Sequence, residues 1–184
     1  MNTDKWTTKI DSVTADFKQQ FGSLTAEQLN WKPNSETWSI AENIQHLIAV
    51  NDTYPPVIKQ INAGNYSVPF IGKIGFMVNF LGGMILGSVQ PDRKRKMKTF
   101  PIWQPSEAKV SADVLNQFEQ HQNDLKKLIS GCSNLLDKGT VISSPANKNI
   151  VYKLETAFDI IVAHEERHLE QAKEVWAAQK AIGK

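Results

Sequence analysis

The sequence predicts an all-α fold, a four-helix bundle with long crossover connections. Four segments repeat apolar residues at helical spacing, and no segment alternates apolar and polar residues with comparable strength. Two long connections, 22–38 and 64–110, separate those segments, so an antiparallel bundle requires at least one crossover. At 184 residues the chain is expected to form one domain, 1–184, with a sizeable core.

Trp6, Ile10, Val13, Phe17 and Phe21 define the stripe of the first helix, which Gly22 stops. Residues 24–31 read as a short connecting turn or helix ending at Pro33. Ser39-Ile40-Ala41-Glu42 is a capping box, in which the hydroxyl and the carboxylate each satisfy an orphan backbone N–H. Ile40, Ile44, Leu47 and Ile48 then carry a second helix towards Ile58 and Ile61, with Gly64 ending it. Within it, Tyr54-Pro55-Pro56 predicts a kink: each proline removes a donor and clashes with the preceding turn, yet the apolar periodicity resumes.

The apolar run from Phe70 to Gly87 approaches the roughly 20 residues of a bilayer span. Lys73, Asn79 and five glycines between 72 and 87 argue against a span. A partly helical crossover covering the bundle is expected instead; a dimerisation patch and a wall of a ligand pocket are the other readings. Arg93-Lys94-Arg95-Lys96-Met97-Lys98, between Pro91 and Pro101, reads as a solvated loop. Ser111 is the expected N-cap of a third helix with the stripe Val114, Leu115, Phe118, Leu125, Leu128 and Ile129, closed by Gly131. His121 falls on the border of that stripe and reads as a hydrogen-bonded border residue. Residues 134–149, rich in Gly, Ser, Pro and Asn, read as a loop, and a fourth helix is expected over 152–180.

A balance of 21 Lys+Arg against 19 Asp+Glu produces little long-range field, so nucleic-acid binding is not expected. The single cysteine, Cys132, rules out an intrachain disulfide and reads as a small buried apolar residue in a reducing compartment. Residues 1–10 show no basic-then-apolar leader, so a cytoplasmic location is expected.

Ala163-His164-Glu165-Glu166-Arg167-His168-Leu169-Glu170-Gln171 carries the chemistry. Residues four apart share a helix face, so His164 and His168 point the same way and can grip one divalent metal, with Gln171 on that face as a supporting donor. A catalytic zinc commonly takes three protein ligands and leaves a position open. His46, flanked by Leu47 and Ile48 on the second helix, is the best third ligand. The letters also spell His-Glu-x-x-His, in which a protease would use the glutamate as general base. A peptidase is not expected: a gluzincin's further acidic ligand lies typically roughly twenty residues on, where sixteen residues follow His168 here, and Leu169 to Glu174 offers neither the glycine nor the third histidine of a metzincin. Glu165 points about 100° away from His164 and is expected to be solvated or salt-bridged.

Leu24-Thr25-Ala26-Glu27-Gln28-Leu29-Asn30-Trp31-Lys32-Pro33, followed by Trp38-Ser39-Ile40-Ala41-Glu42-Asn43-Ile44-Gln45-His46-Leu47, resembles the N-terminal half of DinB-like proteins. His164-Glu165-Glu166-Arg167-His168-Leu169-Glu170-Gln171 is similar to that superfamily's C-terminal motif, His-x-x-x-His-x-x-Gln. The resemblance implies a four-helix bundle of the DinB type, often a homodimer, with His46, His164 and His168 holding a divalent metal. In relatives the ion is often nickel or zinc, with iron or manganese in others. Relatives of known activity are largely thiol-dependent: S-transferases using bacillithiol-like cofactors, a mycothiol-dependent isomerase and a domain in sulfur-histidine biosynthesis. The expectation is a metal-dependent enzyme acting on a small molecule, either an S-transferase with a low-molecular-weight thiol or a hydrolase using metal-activated water. The alternative is a non-enzymatic, metal-binding or stress-related bundle protein.

Overall fold

The computed structural model describes residues 2–92, 99–105, 109–111 and 113–182; the basic run at 93–98 lies outside them. α1 (Asp4–Phe21) buries Trp6, Ile10, Val13, Phe17 and Phe21, the stripe read from its spacing. α2 (Ala26–Asn30) opens on a reciprocal capping box between Thr25 and Gln28. α3 (Ile40–Asn51) opens on the expected box: Ser39 Oγ accepts from the Glu42 N–H at 3.1 Å and Glu42 Oε2 accepts from the Ser39 N–H at 2.7 Å.

The kink expected at Tyr54-Pro55-Pro56 is a full break. α3 stops at Asn51 and α4 (Tyr54–Asn62) starts anew with the prolines in its first turn. Missing N–H groups cost nothing there, because the first turn has no partners for them. α5 (Gly75–Ser88) occupies the crossover. α6 (Val114–Ser130) begins later than the Ser111 cap implies. Asp113 takes the capping position but its carboxylate accepts from the Asn116 and Gln117 side chains rather than from a backbone N–H, while Ser111 Oγ accepts from the Asp113 N–H at 3.2 Å in the preceding turn.

The segment 134–149 is not a loop. It contains the end of α7 (Ser133–Asp137), β1 (Val141–Ser144) and the start of β2 (Asn147–Lys153). The strands pair antiparallel, with Val141 opposite Lys153 and Ile142 opposite Tyr152. Ile142, Val151 and Tyr152 are buried, so β-branched and aromatic side chains gain a packing surface that a loop would forgo. Tyr152 therefore belongs to a strand, and α8 (Leu154–Ile182) starts two residues beyond it.

α1 packs against α6 and α8, and α3 packs against the same two helices. Lys5 pairs with Glu155 and Lys9 with Glu166, so α1 and α8 run parallel. Phe17 stacks edge-on to Phe118 while Lys126 bonds Asp11, which makes α6 antiparallel to α1. Asn43 meets His168 and His46 meets His164, so α3 is antiparallel to α8. Consequently α3 and α6 run in the same direction, and the chain between them has to cross the length of the bundle.

The core separates into two apolar clusters. One contains Trp6, Ile10, Tyr54, Ile58, Leu125, Ile129, Phe158 and Ile161. The other contains Val13, Phe17, Phe21, Ile44, Leu47, Phe118, Leu169 and Val175. Between them lie His46, Asn51, Gln122, Glu165 and His168, all buried. Asn51 falls between Leu47 and Tyr54 along the chain, Gln122 between Phe118 and Leu125 along α6, and Glu165 and His168 between Val162 and Leu169 along α8. Together with His46 they form a polar stratum across the middle of the bundle.

α5 lies against β2 and α8. Gly82 permits that approach: a Cβ there would stand 3.0 Å from Tyr152 Cβ and 3.1 Å from Thr156 Cγ2. Its outer side presents Phe76, 74% exposed, and Phe80, 56% exposed. No helix among the described residues is long and apolar enough to cross a membrane.

Candidate metal centre

His46 is placed by the capped start of α3, two turns in, and His164 and His168 by consecutive turns of α8. Their Nε2 atoms converge: His164 Nε2 lies 3.0 Å from His168 Nε2 and 3.3 Å from His46 Nε2. The three ligand nitrogens all fall within 4.8 Å of one another.

Hydrogen bonds behind two of the rings decide which nitrogen faces inward. His46 Nδ1 is 2.6 Å from the Trp103 carbonyl oxygen, which only accepts, so Nδ1 carries the proton. His168 Nδ1 is 2.7 Å from Asn43 Oδ1. The Asn43 amide is oriented by its own Nδ2, which donates to the Ser39 carbonyl at 2.8 Å, so its oxygen faces the ring and His168 Nδ1 also carries the proton. His46 and His168 therefore aim lone pairs at the common point. A single N–H on His164 Nε2 would answer one of those two lone pairs; one cation answers all three nitrogens. Metal–nitrogen bonds of about 2.1 Å at angles between octahedral and tetrahedral place ligand nitrogens about 3.0–3.4 Å apart, the spacing seen for His164 with each neighbour. The donor set fits a divalent transition ion.

Burial lowers the pKa of His46, opposed by the Trp103 carbonyl, and lowers that of His164 well below the ordinary value, with His46 and Arg167 adding to the effect. Neutral imidazoles are the form a metal requires. Trp38 packs against the rings, stacked on His168 at 5.8 Å and tilted against His46 at 4.8 Å. Beside the rings opens a cavity of about 580 Å³ whose walls include Trp38, His164, Arg167 and Gln171. Arg167 is buried and donates to the carbonyls of Ser88 at 3.1 Å and Gln90 at 3.2 Å, tying the end of α5 to this wall.

The structure brings together the three histidines that the sequence singles out, and leaves His121 outside them. His121 Nε2 is 3.3 Å from Asp52 Oδ1 at the bundle's border. Gln171 reaches the cavity wall, but the acceptors behind the rings are Asn43 and Trp103. Neither is singled out by the sequence reading, although Asn43 stands one helical turn past the cap residue and one before His46. Glu165 contradicts expectation. It is fully buried, with Asn51 Nδ2 and Gln122 Nε2 each donating to a different carboxylate oxygen at 2.8 Å. Burial pushes its pKa up to about 8 against the downward pull of those two bonds.

The family model of the DinB superfamily matches residues 9–172. The chain belongs to the DinB superfamily. No curated protein sequence matches it. Among solved structures, this DinB chain is similar to YfiT from Bacillus subtilis at a TM-score of 0.58 and 15% identity, covering 97% of this chain and 87% of YfiT. YfiT is described as "a probable metal-dependent hydrolase with an unusual four-helix bundle topology". At that identity the likeness establishes the shared bundle, and the direction of helices derived above is one in which α3 and α6 run the same way.

Proposed function

We propose that this DinB protein is a metal-dependent enzyme acting on a small molecule, with His46, His164 and His168 as ligands through Nε2. The observation that carries the reading is the convergence of the three Nε2 atoms beside a cavity. Among the described residues, the ligand-capable group contains three histidines and no fourth member, as a catalytic rather than a closed structural site requires. When bound, the ion supplies Lewis-acid activation of a water or a thiol at its open position. Trp103 and Asn43 hold the ring tautomers, and Trp38 packs against the His46 and His168 rings. The cavity admits a substrate of modest size against Arg167 and Gln171. The description of YfiT favours hydrolysis; attack of a low-molecular-weight thiolate on an electrophile, with departure of the electrophile's leaving group, would draw on the same Lewis acidity.

Reconstitution with nickel, zinc, iron(II) or manganese, followed by two assay arms, tests this. One arm offers esters and amides; the other offers thiols with electrophiles. The expected result is metal-dependent turnover in one arm that disappears in His164→Ala. Metal-loaded wild type no faster than His164→Ala treated with the same metal, in both arms, would contradict the enzymatic reading and favour a metal-binding bundle protein.

A further inference from the structure

Three ligands on two helices require those helices to keep a fixed spacing, and the polar stratum contains a part suited to that task. We infer that Glu165 is a positioning residue, a buried strut that sets the separation of α3 and α8 and hence the geometry of the three-histidine site; this rests on the metal reading above. Burying a carboxyl group is costly unless it is well paired, so its place between three helices in the polar stratum calls for a role. Glu165 adjoins His164 on α8. Its Oε1 accepts from Asn51 Nδ2 on α3, five residues beyond His46, and its Oε2 accepts from Gln122 Nε2 on α6. One side chain thus joins three helices at the level of the ligands.

Both amides turn their NH2 groups inward. Asn51 Nδ2 and Gln122 Nε2 thus meet the two oxygens of one carboxyl group, each at 2.8 Å. Glu165 is absent from the cavity walls and spends both oxygens on these amides, which separates it from a proton-transfer role. Apolar helix faces tolerate small slides past one another, whereas ligand distances in a metal site hold to about 0.2 Å. Asn43 with His168 fixes one level of the α3–α8 pair, and Asn51 with Glu165 fixes a second on the other side of His46.

The two arms of the strut are unequal, which makes the inference testable. The α3 arm ends on a ligand-bearing helix; the α6 arm ends on a helix that carries none of the three ligands. The full chain loaded with Co2+ is compared as wild type, Glu165→Gln, Glu165→Met, Asn51→Ala and Gln122→Ala. The readouts are the visible Co2+ absorption bands, Co2+ affinity by chelator competition, and thermal stability. Glu165→Gln keeps the wild-type bands, because a glutamine accepts from one amide and donates to the other once that amide flips. Asn51→Ala and Glu165→Met shift the bands and weaken Co2+ binding about tenfold, the low end of the effect of groups supporting metal ligands. Gln122→Ala lowers thermal stability and leaves bands and affinity unchanged. If Glu165→Met does not fold, the Asn51→Ala and Gln122→Ala pair decides. Equal bands and affinity in those two variants would overturn the positioning role while leaving the metal reading intact. Absence of Co2+ binding by wild type would overturn the metal reading itself.

Discussion

The polar stratum and the outer face of α5 both depart from the rule that polar groups face water and apolar groups face inward, in opposite senses. In the stratum, His46, His168, Asn51, Gln122 and Glu165 are buried between two apolar clusters. On α5, Phe76 and Phe80 stand in the open. The stratum announces its chemistry, because burial favours partners for polar atoms and those partners reveal direction: Nδ1 of His46 and of His168 outward to an oxygen acceptor, Nε2 inward to a common point. An exposed phenyl ring carries no such directional record. Buried polarity marks residues that could hold a ligand; exposed apolarity marks only a surface.

The contrast can be broken most severely at Asn43. Asn43→Ala removes the acceptor behind His168 and frees the ring to rotate or change tautomer. Metal affinity measured by chelator competition is expected to fall about 10–100-fold. Retention of wild-type affinity would mean that the Asn43 bond does not orient the ring.

Two adjacent glycines on α5 sharpen the other side. A methyl group at Gly83 would have nothing within 4 Å, whereas one at Gly82 would meet Tyr152 and Thr156. Gly83→Ala is expected to raise stability by up to about 1 kcal/mol through helix propensity. Gly82→Ala should lose that gain to the contact with β2 and α8. Urea midpoints of the two variants check this, and equal midpoints would mean that α5 does not seat on Tyr152. A smaller effect is expected further out. Phe76→Ser with Phe80→Ser should change stability by about 0.5 kcal/mol or less at each site and leave metal content unchanged, as for exposed positions generally.

The smallest effect at neutral pH concerns Tyr54 and Tyr152, whose hydroxyls lie 3.4 Å apart beside the stratum. Burial raises both pKa values above the ordinary 10.0, that of Tyr54 by the larger margin. Below about pH 10 both the folded and the unfolded chain keep these protons, and stability is unaffected. As pH rises past about 10, the unfolded chain releases protons that the folded chain retains, so stability falls. Urea midpoints against pH should drop less steeply in Tyr54→Phe; an unchanged slope would contradict the assignment.

How much of the molecule is legible in its sequence follows from how local each signal is. The α1 stripe and the Ser39–Glu42 box depend on neighbours within a few residues, and both are found as read. His164 and His168 are one turn apart, and His46 can be assigned because its neighbours Leu47 and Ile48 mark an inward face. The prolines after Tyr54 read as a kink because periodicity resumes beyond them, but that periodicity belongs to a new helix. The β1–β2 hairpin escapes a pattern search because four residues of β1 are too few for alternation to stand out among Ser, Pro and Asn. Its stability comes from burying Ile142, Val151 and Tyr152, which a local pattern does not record. Glu165 misleads for a related reason: its partners Asn51 and Gln122 are far away in sequence, and a glutamate in a charged run normally faces water.

The most direct test of the central claim is metal stoichiometry. Wild type and the variants His46→Ala, His164→Ala and His168→Ala would be equilibrated with excess Ni2+ or Zn2+, desalted, and analysed for metal per chain. Wild type is expected to retain about one equivalent, each of the three variants to lose most of it, and His121→Ala to retain the wild-type amount. Metal retained equally by wild type and the three ligand variants would contradict it, as would a wild type that holds none.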